Sequence, residues 1–420
     1  MNSVLFICGI ALCVAGTLPI AQWTIQGWKS ARESQRHLED LREIIQKKIG
    51  QSQKRKSPAV GAEGNWNGFR LFEVDRLNRE TPTCTSVYLK PVDGRPIADF
   101  KPGQHLTLKL NIPGQPKPVI RCYSLSDAPG KQYYRITVKR ASHPPNRPEL
   151  KPGKASSFIN EGLKEGDQIE IKAPAGHFFL QDDPYRPAVL LAGGIGITPM
   201  VSMANTLLEN NSKRPIILLY GVRNGLDQPF RHHLEELGSR HDNFFSIFCY
   251  SRPCPEDLLD RDYHIEGFVS VDILKKLLPQ PACEFYLCGP PKFMDSIYND
   301  LKDWNVGEDQ IFFEAFGPAT VGKNRNKEKG SHLTEMTHQI RFSQSEVTVK
   351  WDGSCDSLLE LAEAKEIPID SGCRAGSCGT CVTKILAGSV SYPDNQAVDC
   401  GSDECLACIA QPASDLELEV

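Results

Sequence analysis

The chain has 420 residues, of which 40% are hydrophobic and 24% charged, and a formal net charge of -4. That length exceeds what one hydrophobic core organises and implies roughly two to four globular domains, which excludes a disordered or fibrous protein. With no long basic stripe interleaved with aromatics, the near-neutral balance also excludes nucleic acid as a main ligand.

The first element is an uncharged run from Val4 to Ala21. As a helix it reaches roughly 27 Å at about 1.5 Å per residue, enough to span a bilayer, so residues 1–28 are expected to form a single transmembrane anchor. A cleaved signal peptide is the alternative, but no Lys or Arg precedes the run and no small-x-small cleavage site follows it. Lys29, Arg32, Arg36, Arg42, Lys47 and Lys48 lie downstream, which places the body of the protein in the cytoplasm. Trp23 and Trp28 suit the membrane interface.

Residues 29–64 read as a charged helix with Leu38, Leu41 and Ile45 on one side, followed by a polar tether. A spacer is the default reading; a short coiled coil or a partner-docking helix are the alternatives. From 65 to 183, short alternating strands such as TSVYLKP, HLTLKLNI, YYRITVKR and QIEIKAP are separated by Pro and Gly turns, which predicts an antiparallel β-barrel. From 184 to 318, strands and helices alternate, which predicts an α/β domain with a parallel sheet. Residues 319–336 are polar and basic and read as a linker. A compact α+β unit of strands, one helix and a cysteine-rich loop follows over 337–420.

Fifteen cysteines do not make a disulfide scaffold in a chain of this length. Spacing decides. Cys373, Cys378 and Cys381 in DSGCRAGSCGTC stand in the C-x4-C-x2-C pattern of plant-type 2Fe-2S sites, which needs a fourth thiolate further on and favours a reducing compartment. Cys408 is assigned that place, with Cys405 as its competitor. Structural zinc is the rival reading, but zinc sites usually present paired C-x2-C units. The loop's glycines let backbone amides approach the sulfurs.

The barrel segment carries RCYSLSDAP (121–129) between two strands, and GKASSFI (153–159) opens a helix. In isolation Tyr123 would be a core aromatic and Ser156 an ordinary helix cap. LLAGGIGITPM (190–200) follows a buried strand and precedes a helix, placing Gly193, Gly194 and Gly196 where dinucleotide phosphates meet backbone amides and a helix dipole; a plain tight turn is the alternative. A second strand ending in Gly-Pro, FYLCGPPKFM (285–294), puts Cys288 and Gly289 at the edge where open α/β sheets hold ligands. EAFGP (314–318) follows.

Taken together, residues 66–420 resemble the ferredoxin reductase family. The stretch FKPGQHLTLKL, RCYSLSDAP and YRITVKR is similar to the reductase half of flavohaemoglobins, and SLLELAEAKEIPIDSGCRAGSCGTC resembles a plant-type ferredoxin of the β-grasp fold. The order flavin, nicotinamide, ferredoxin is similar to phthalate dioxygenase reductase and related oxygenase reductases. The membrane segment departs from that pattern; an anchored sodium-pumping quinone reductase subunit is similar in that respect, but its ferredoxin precedes the flavin domain.

The resemblance implies that Arg121 neutralises flavin phosphate, Tyr123 stacks on the isoalloxazine and Ser124 bonds the ring nitrogen that receives the hydride. It implies that Gly153 and Ser156 contact the pyrophosphate, that Thr198 contacts nucleotide phosphate, and that Cys288 lies by the nicotinamide. Phe316 would cover the flavin, and Glu314 would steady charge during hydride transfer. Catalytic roles thus fall to Ser124, Cys288, Glu314 and Phe316. Family ferredoxins place the fourth cysteine before a short strand, as Cys408 stands here.

The flavin is expected to be FAD, with FMN the alternative, and the coenzyme NADH, with NADPH the alternative. Electrons would pass from NADH through FAD and one 2Fe-2S cluster to an acceptor protein such as an oxygenase, hydroxylase or desaturase. A membrane quinone reductase and a non-enzymatic redox sensor are the competing readings.

Overall fold

A computed structural model describes residues 38–48, 66, 68–142, 152–278, 280–315, 338–353, 355–371, 376, 379–392 and 400–420. The expected membrane segment, the tether and the linker lie outside the described residues. Among the described residues no helix is long and apolar enough to cross a membrane.

The barrel is built from β1 (Arg70–Thr81), β2 (Cys84–Pro91), β3 (His105–Leu110), β4 (Val119–Ser124), β5 (Tyr134–Lys139) and β6 (Gln168–Ile171) in the order β4-β3-β6-β1-β2-β5. All the pairings are antiparallel. A bridge between Leu125, just after β4, and Ile136 of β5 brings the two edge strands together at one end and closes the barrel there. Phe72, Val74, Val87, Leu89, Leu106, Leu108, Ile136, Val138, Ile169 and Ile171 fill its interior. Strand β2 is buried along most of its length, without the half-exposed alternation of an outer strand. The reason is that the next domain covers its outer side.

That domain has a six-stranded sheet in the order β10-β9-β8-β7-β11-β12. Its strands are β7 (Ala188–Gly193), β8 (Ile216–Val222), β9 (Phe244–Tyr250), β10 (Ile265–Glu266), β11 (Glu284–Gly289) and β12 (Ile311–Ala315), all parallel. Both faces are packed, so every residue of β7 and β11 is buried, and the two strands read as apolar runs apart from Glu284, whose carboxylate pairs with the buried Arg214. Strand order reverses between β7 and β11, which makes their carboxyl ends the topological switch point where open sheets bind ligands.

The third unit comprises β13 (His338–Phe342), β14 (Val347–Trp351), a helix at Leu358–Ala364, β15 (Val382–Ala387), β17 (Glu404–Leu406) and β19 (Leu416–Leu418), in the sheet order β14-β13-β19-β15-β17. A short hairpin pairs β16 (Val390–Ser391) with β18 (Gln411–Pro412). Ser357 caps the helix, its hydroxyl accepting from the Glu360 amide at 3.2 Å, while Glu360 returns the bond to the Asp356 amide at 2.7 Å. This mixed sheet with one helix across it is the expected α+β grasp.

Candidate functional site

The site forms where barrel and parallel sheet meet. His105, the first residue of β3, and Ser124, the last of β4, are direct register partners, so their side chains leave the same face of the barrel. On the other domain Cys288 in β11 and Glu314 in β12 are likewise register partners. The two pairs converge: Ser124 Oγ donates to Glu314 Oε2 at 3.0 Å, and His105 Nδ1 lies 3.4 Å from Glu314 Oε1. Both carboxylate oxygens of a half-buried glutamate are therefore engaged by the barrel. His105 is 3% exposed and its Nε2 has no partner among the described residues.

Cys288 is fully buried, and burial first, then the neighbouring Glu314, pushes its thiol far above the ordinary range. It is a neutral thiol, not a nucleophile. Phe316 lies outside the described residues.

The two glycine turns touch each other. A Cβ on Gly196 would sit 2.1 Å from the Cys288 carbonyl oxygen, and one on Gly289 would sit 3.1 Å from Gly193 Cα. Gly194 is different: its φ is +56° and nothing lies within 4 Å of the missing Cβ. It borders open space at the switch point, where a ligand can approach the backbone. Thr198 does not present its hydroxyl there; Oγ1 donates to the Ile195 carbonyl at 3.1 Å and braces the turn.

Three residues before Ser124 on β4, Arg121 is exposed. It lines an open cleft with Gln115, Lys154, Asp370 and Ser371, the last two belonging to the cluster loop of the third unit. Lys154 opens the helix Lys154–Ser157, which passes into a single wider turn at Phe158–Gly162. Tyr123 is half-buried against the barrel core, and burial raises its hydroxyl above the usual range. Ser156 is turned inward: its hydroxyl accepts from the Ala141 amide at 3.0 Å and donates to the Gly153 carbonyl at 3.1 Å. By contrast, Ser157 Oγ is buried without a hydrogen-bond partner among the described residues, the kind of orphaned donor that a bound phosphate satisfies.

In the third unit Cys381 and Cys408 are buried with their sulfurs 3.0 Å apart. Cys405, the competitor, stands in β17 opposite Thr383, fully buried, its thiol pushed up to about 12 by burial. Cys373 and Cys378 lie outside the described residues. Two of the expected thiol donors, Cys381 and Cys408, thus lie together, soft sulfur ligands of the kind an iron–sulfur cluster takes; among the described residues no group of three potential ligands is formed.

Three features were missed by sequence reasoning. His105 reads as an ordinary strand residue until the strand register places it opposite Ser124. Lys154 and Ser157 flank a position already singled out, and the signal was their place at a helix start.

Fold and site together define an NAD(P)H-dependent oxidoreductase with a flavin domain, a nicotinamide domain and an iron–sulfur domain. Models of the oxidoreductase FAD-binding domain, the oxidoreductase NAD-binding domain and the 2Fe-2S iron-sulfur cluster binding domain match residues 94–180, 190–299 and 340–413. The flavohemoprotein of Halalkalibacterium halodurans is 41% identical over 295 residues, covering 70% of this chain and 69% of that protein. The flavohemoprotein of Bacillus subtilis is 36% identical over 255 residues, covering 61% of each. The chain belongs to the ferredoxin reductase-type family of FAD- and NAD-binding oxidoreductases that includes the reductase part of the flavohemoproteins.

It spans about two thirds of the length of those relatives. The flavohem-like FAD/NAD-binding domain of the nitric oxide dioxygenase of Vibrio cholerae is 30% identical, with a TM-score of 0.53, over 59% of this chain and 99% of that one. Phthalate dioxygenase reductase shares the fold through the third unit, at 24% identity and a TM-score of 0.52, over 84% of this chain and 98% of that one.

Proposed function

We propose that the chain is an electron-transfer reductase that carries electrons from NADH through FAD and a 2Fe-2S cluster to a separate acceptor protein of the oxygenase, hydroxylase or desaturase type. The observation that carries this reading is the convergence of Ser124 and His105 from the barrel on Glu314, beside Cys288, at the switch point of the nicotinamide sheet. A neighbour that covers 84% of this chain is named as a reductase moving electrons from pyridine nucleotides to a [2Fe-2S] centre.

FAD supplies hydride acceptance and the splitting of the pair into single electrons, and the cluster supplies one-electron transfer. The protein's own residues position and shield. Arg121 and Lys154 neutralise flavin phosphate, the Ser157 hydroxyl and the backbone from Gly153 bind it, and Tyr123 covers the ring face. The Ser124 hydroxyl, which donates to Glu314, would accept from the N–H that the ring nitrogen gains on reduction, and would have to turn its proton from Glu314 to bond the oxidised ring. Gly194 admits the nucleotide phosphates, and Cys288 presents an uncharged wall to the nicotinamide. Phe316 would shield the flavin face that nicotinamide must reach. Cys373, Cys378, Cys381 and Cys408 hold the cluster.

The domains are 65–183 for flavin, 184–318 for nicotinamide and 337–420 for the cluster. Residues 4–21 anchor the chain in a membrane with these domains in the cytoplasm, a reading supported by the length of the uncharged run and the basic residues after it.

The test is an anaerobic titration of the detergent-purified chain with NADH, following flavin bleaching together with the electron paramagnetic resonance signal of the cluster. Flavin reduction followed by a one-electron cluster signal is expected. Flavin bleaching with a silent cluster would sink the internal electron path.

A further inference from the structure

The matched family domains begin at residue 94, which leaves the charged N-terminal helix, α1 (residues 38–48), without an assigned role. Its place in the structure supplies one. The nicotinamide sheet has two faces to cover. One is covered by the helices Ile197–Glu209 and Arg231–Arg240 together with Leu259 and Tyr263 of the β9–β10 connection. The other is covered by the helices Val271–Leu277 and Pro291–Asp303, which follow β10 and β11.

The β9–β10 connection contains no helix, and its apolar residues pack on the first face. The second face, with Ile217 and Leu219 of β8 and Phe245, Ile247 and Cys249 of β9, must be covered as well, and the connections after β10 and β11 give it only those two helices. Helix α1 joins that cluster. Leu38 is 7% exposed and Ile45 0%, and Leu41 packs between them, while Glu39, Asp40, Arg42, Glu43 and Lys47 face solvent. This is one apolar stripe at helical spacing laid against a core. Lys48 forms an ion pair with Asp242, in the loop before β9 at the amino edge of the sheet. Gly194 and Cys288 stand at the opposite, carboxyl edge.

We infer that α1 is a docked structural helix of the nicotinamide domain, so that everything N-terminal to it is attached through this domain, although in sequence the helix lies next to the barrel. The attachment uses the amino edge and one outer face. It leaves the nucleotide turns, at the opposite edge of the sheet, unobstructed. The inference does not depend on what residues 1–37 are joined to.

Trypsin tests it, because Arg42, Lys47 and Lys48 are cleavage sites within the helix. In the flavin-loaded full chain, cleavage after Arg42 and Lys47 should be at least about ten-fold slower than in Ile45→Asp, since proteolysis follows local opening. The variant should lower the unfolding temperature of the nicotinamide domain by about 5 °C or more. NADH-dependent dye reduction at 25 °C should stay within about two-fold of the parent, because the docking face is away from the nucleotide edge.

Equal cleavage rates in parent and variant would overturn the docking. A fall in dye reduction that tracks the release of the helix would overturn the separation of attachment from site. If Ile45→Asp does not fold, Leu38→Ser replaces it, and hydrogen exchange at the amides of 41–48 reads the same docking.

Discussion

Gly194 and Gly196 stand two positions apart and are glycine for different reasons. Alanine at Gly196 drives a methyl into the Cys288 carbonyl, 2.1 Å from the ideal Cβ, and backbone cannot step aside as a flexible side chain does. Overpacking of this kind costs about 1–3 kcal/mol, so Gly196→Ala should unfold at lower urea. At Gly194 an alanine meets nothing and suffers only the left-handed backbone, roughly 1–2 kcal/mol. Gly194→Ala should fold but raise the KM for NADH by about ten-fold or more, because its methyl enters the space that a phosphate would fill. A Gly194→Ala enzyme with an unchanged KM would move the nucleotide elsewhere.

The same scale applies to Glu314, whose two oxygens face Ser124 and His105. Glu314→Gln keeps the shape and removes the charge that orients Ser124, and should slow NADH-dependent flavin reduction by roughly 10²-fold with little change in KM. His105→Asn retains a donor near the Nδ1 position and should lose far less than His105→Leu. Stopped-flow reduction of the bound flavin checks both, and equal rates in the two His105 variants would leave the imidazole a packing role only.

At the scale of elements, the helix Ile197–Glu209 is held to the barrel by a polar chain. Ser202 Oγ donates to the Asp127 carbonyl at 2.7 Å, Asn205 Nδ2 donates to Asp127 Oδ1 at 2.9 Å, and His233 Nε2 lies 2.8 Å from Asn205 Oδ1. Burial, then the Arg135 guanidinium, holds His233 below its ordinary value. Burial alone would raise Asp127, but Arg135, Asn205, the Ala128 amide and Tyr133 outweigh it and keep the carboxylate below the usual range. A depressed histidine is neutral in the folded protein, so its contribution to stability is whole above about pH 6.5 and is lost as the pH falls through the folded value. Asp127 stays charged through that window. Between pH 7.5 and 5.5 the unfolding temperature of the parent should therefore fall more than that of His233→Gln, which still donates to Asn205. Identical pH dependence in the two proteins would remove the role of this histidine at the contact.

Elements also differ in how far they could be read from sequence. The strands HLTLKL and YRITVK alternate cleanly and were legible. Strand β1 was not, because its outward residues and its register shifts at Val74/Arg76 and Arg79/Thr81 break the period. Helix α1 was legible as an amphipathic helix with Leu38, Leu41 and Ile45 on one side. Its docking site was not, because the covering face belongs to strands more than 140 residues later in the chain. A spacer is the natural expectation when no partner lies nearby in sequence.

For the whole molecule, motifs made the three cofactor domains readable, since each motif is local: a glycine turn before a helix, or thiols spaced along one loop. What joins the domains is not local. His105 with Ser124, and both with Glu314, become a site only when two sheets are paired and abutted. The cluster domain meets the barrel in the same way: Asp370 and Ser371, just ahead of Cys373, line the cleft that contains Arg121 and Lys154. This brings the start of the cluster loop to the part of the barrel proposed to hold the flavin phosphate, while the two proposed electron sites stay on different units and are separable by mutation. Cys378→Ser removes a proposed cluster ligand without touching the barrel or the nicotinamide sheet. It should abolish reduction of a ferredoxin-type protein acceptor while NADH-dependent reduction of a small dye at the flavin continues at close to the parent rate. Ser124→Ala should instead slow both, since it acts before the branch. Steady-state assays with the two acceptors on the same preparations, with iron and flavin content measured, distinguish these outcomes. Parallel loss of both activities in Cys378→Ser at full flavin content would mean that the dye, too, draws its electrons from the cluster and that no electrons leave directly from the flavin.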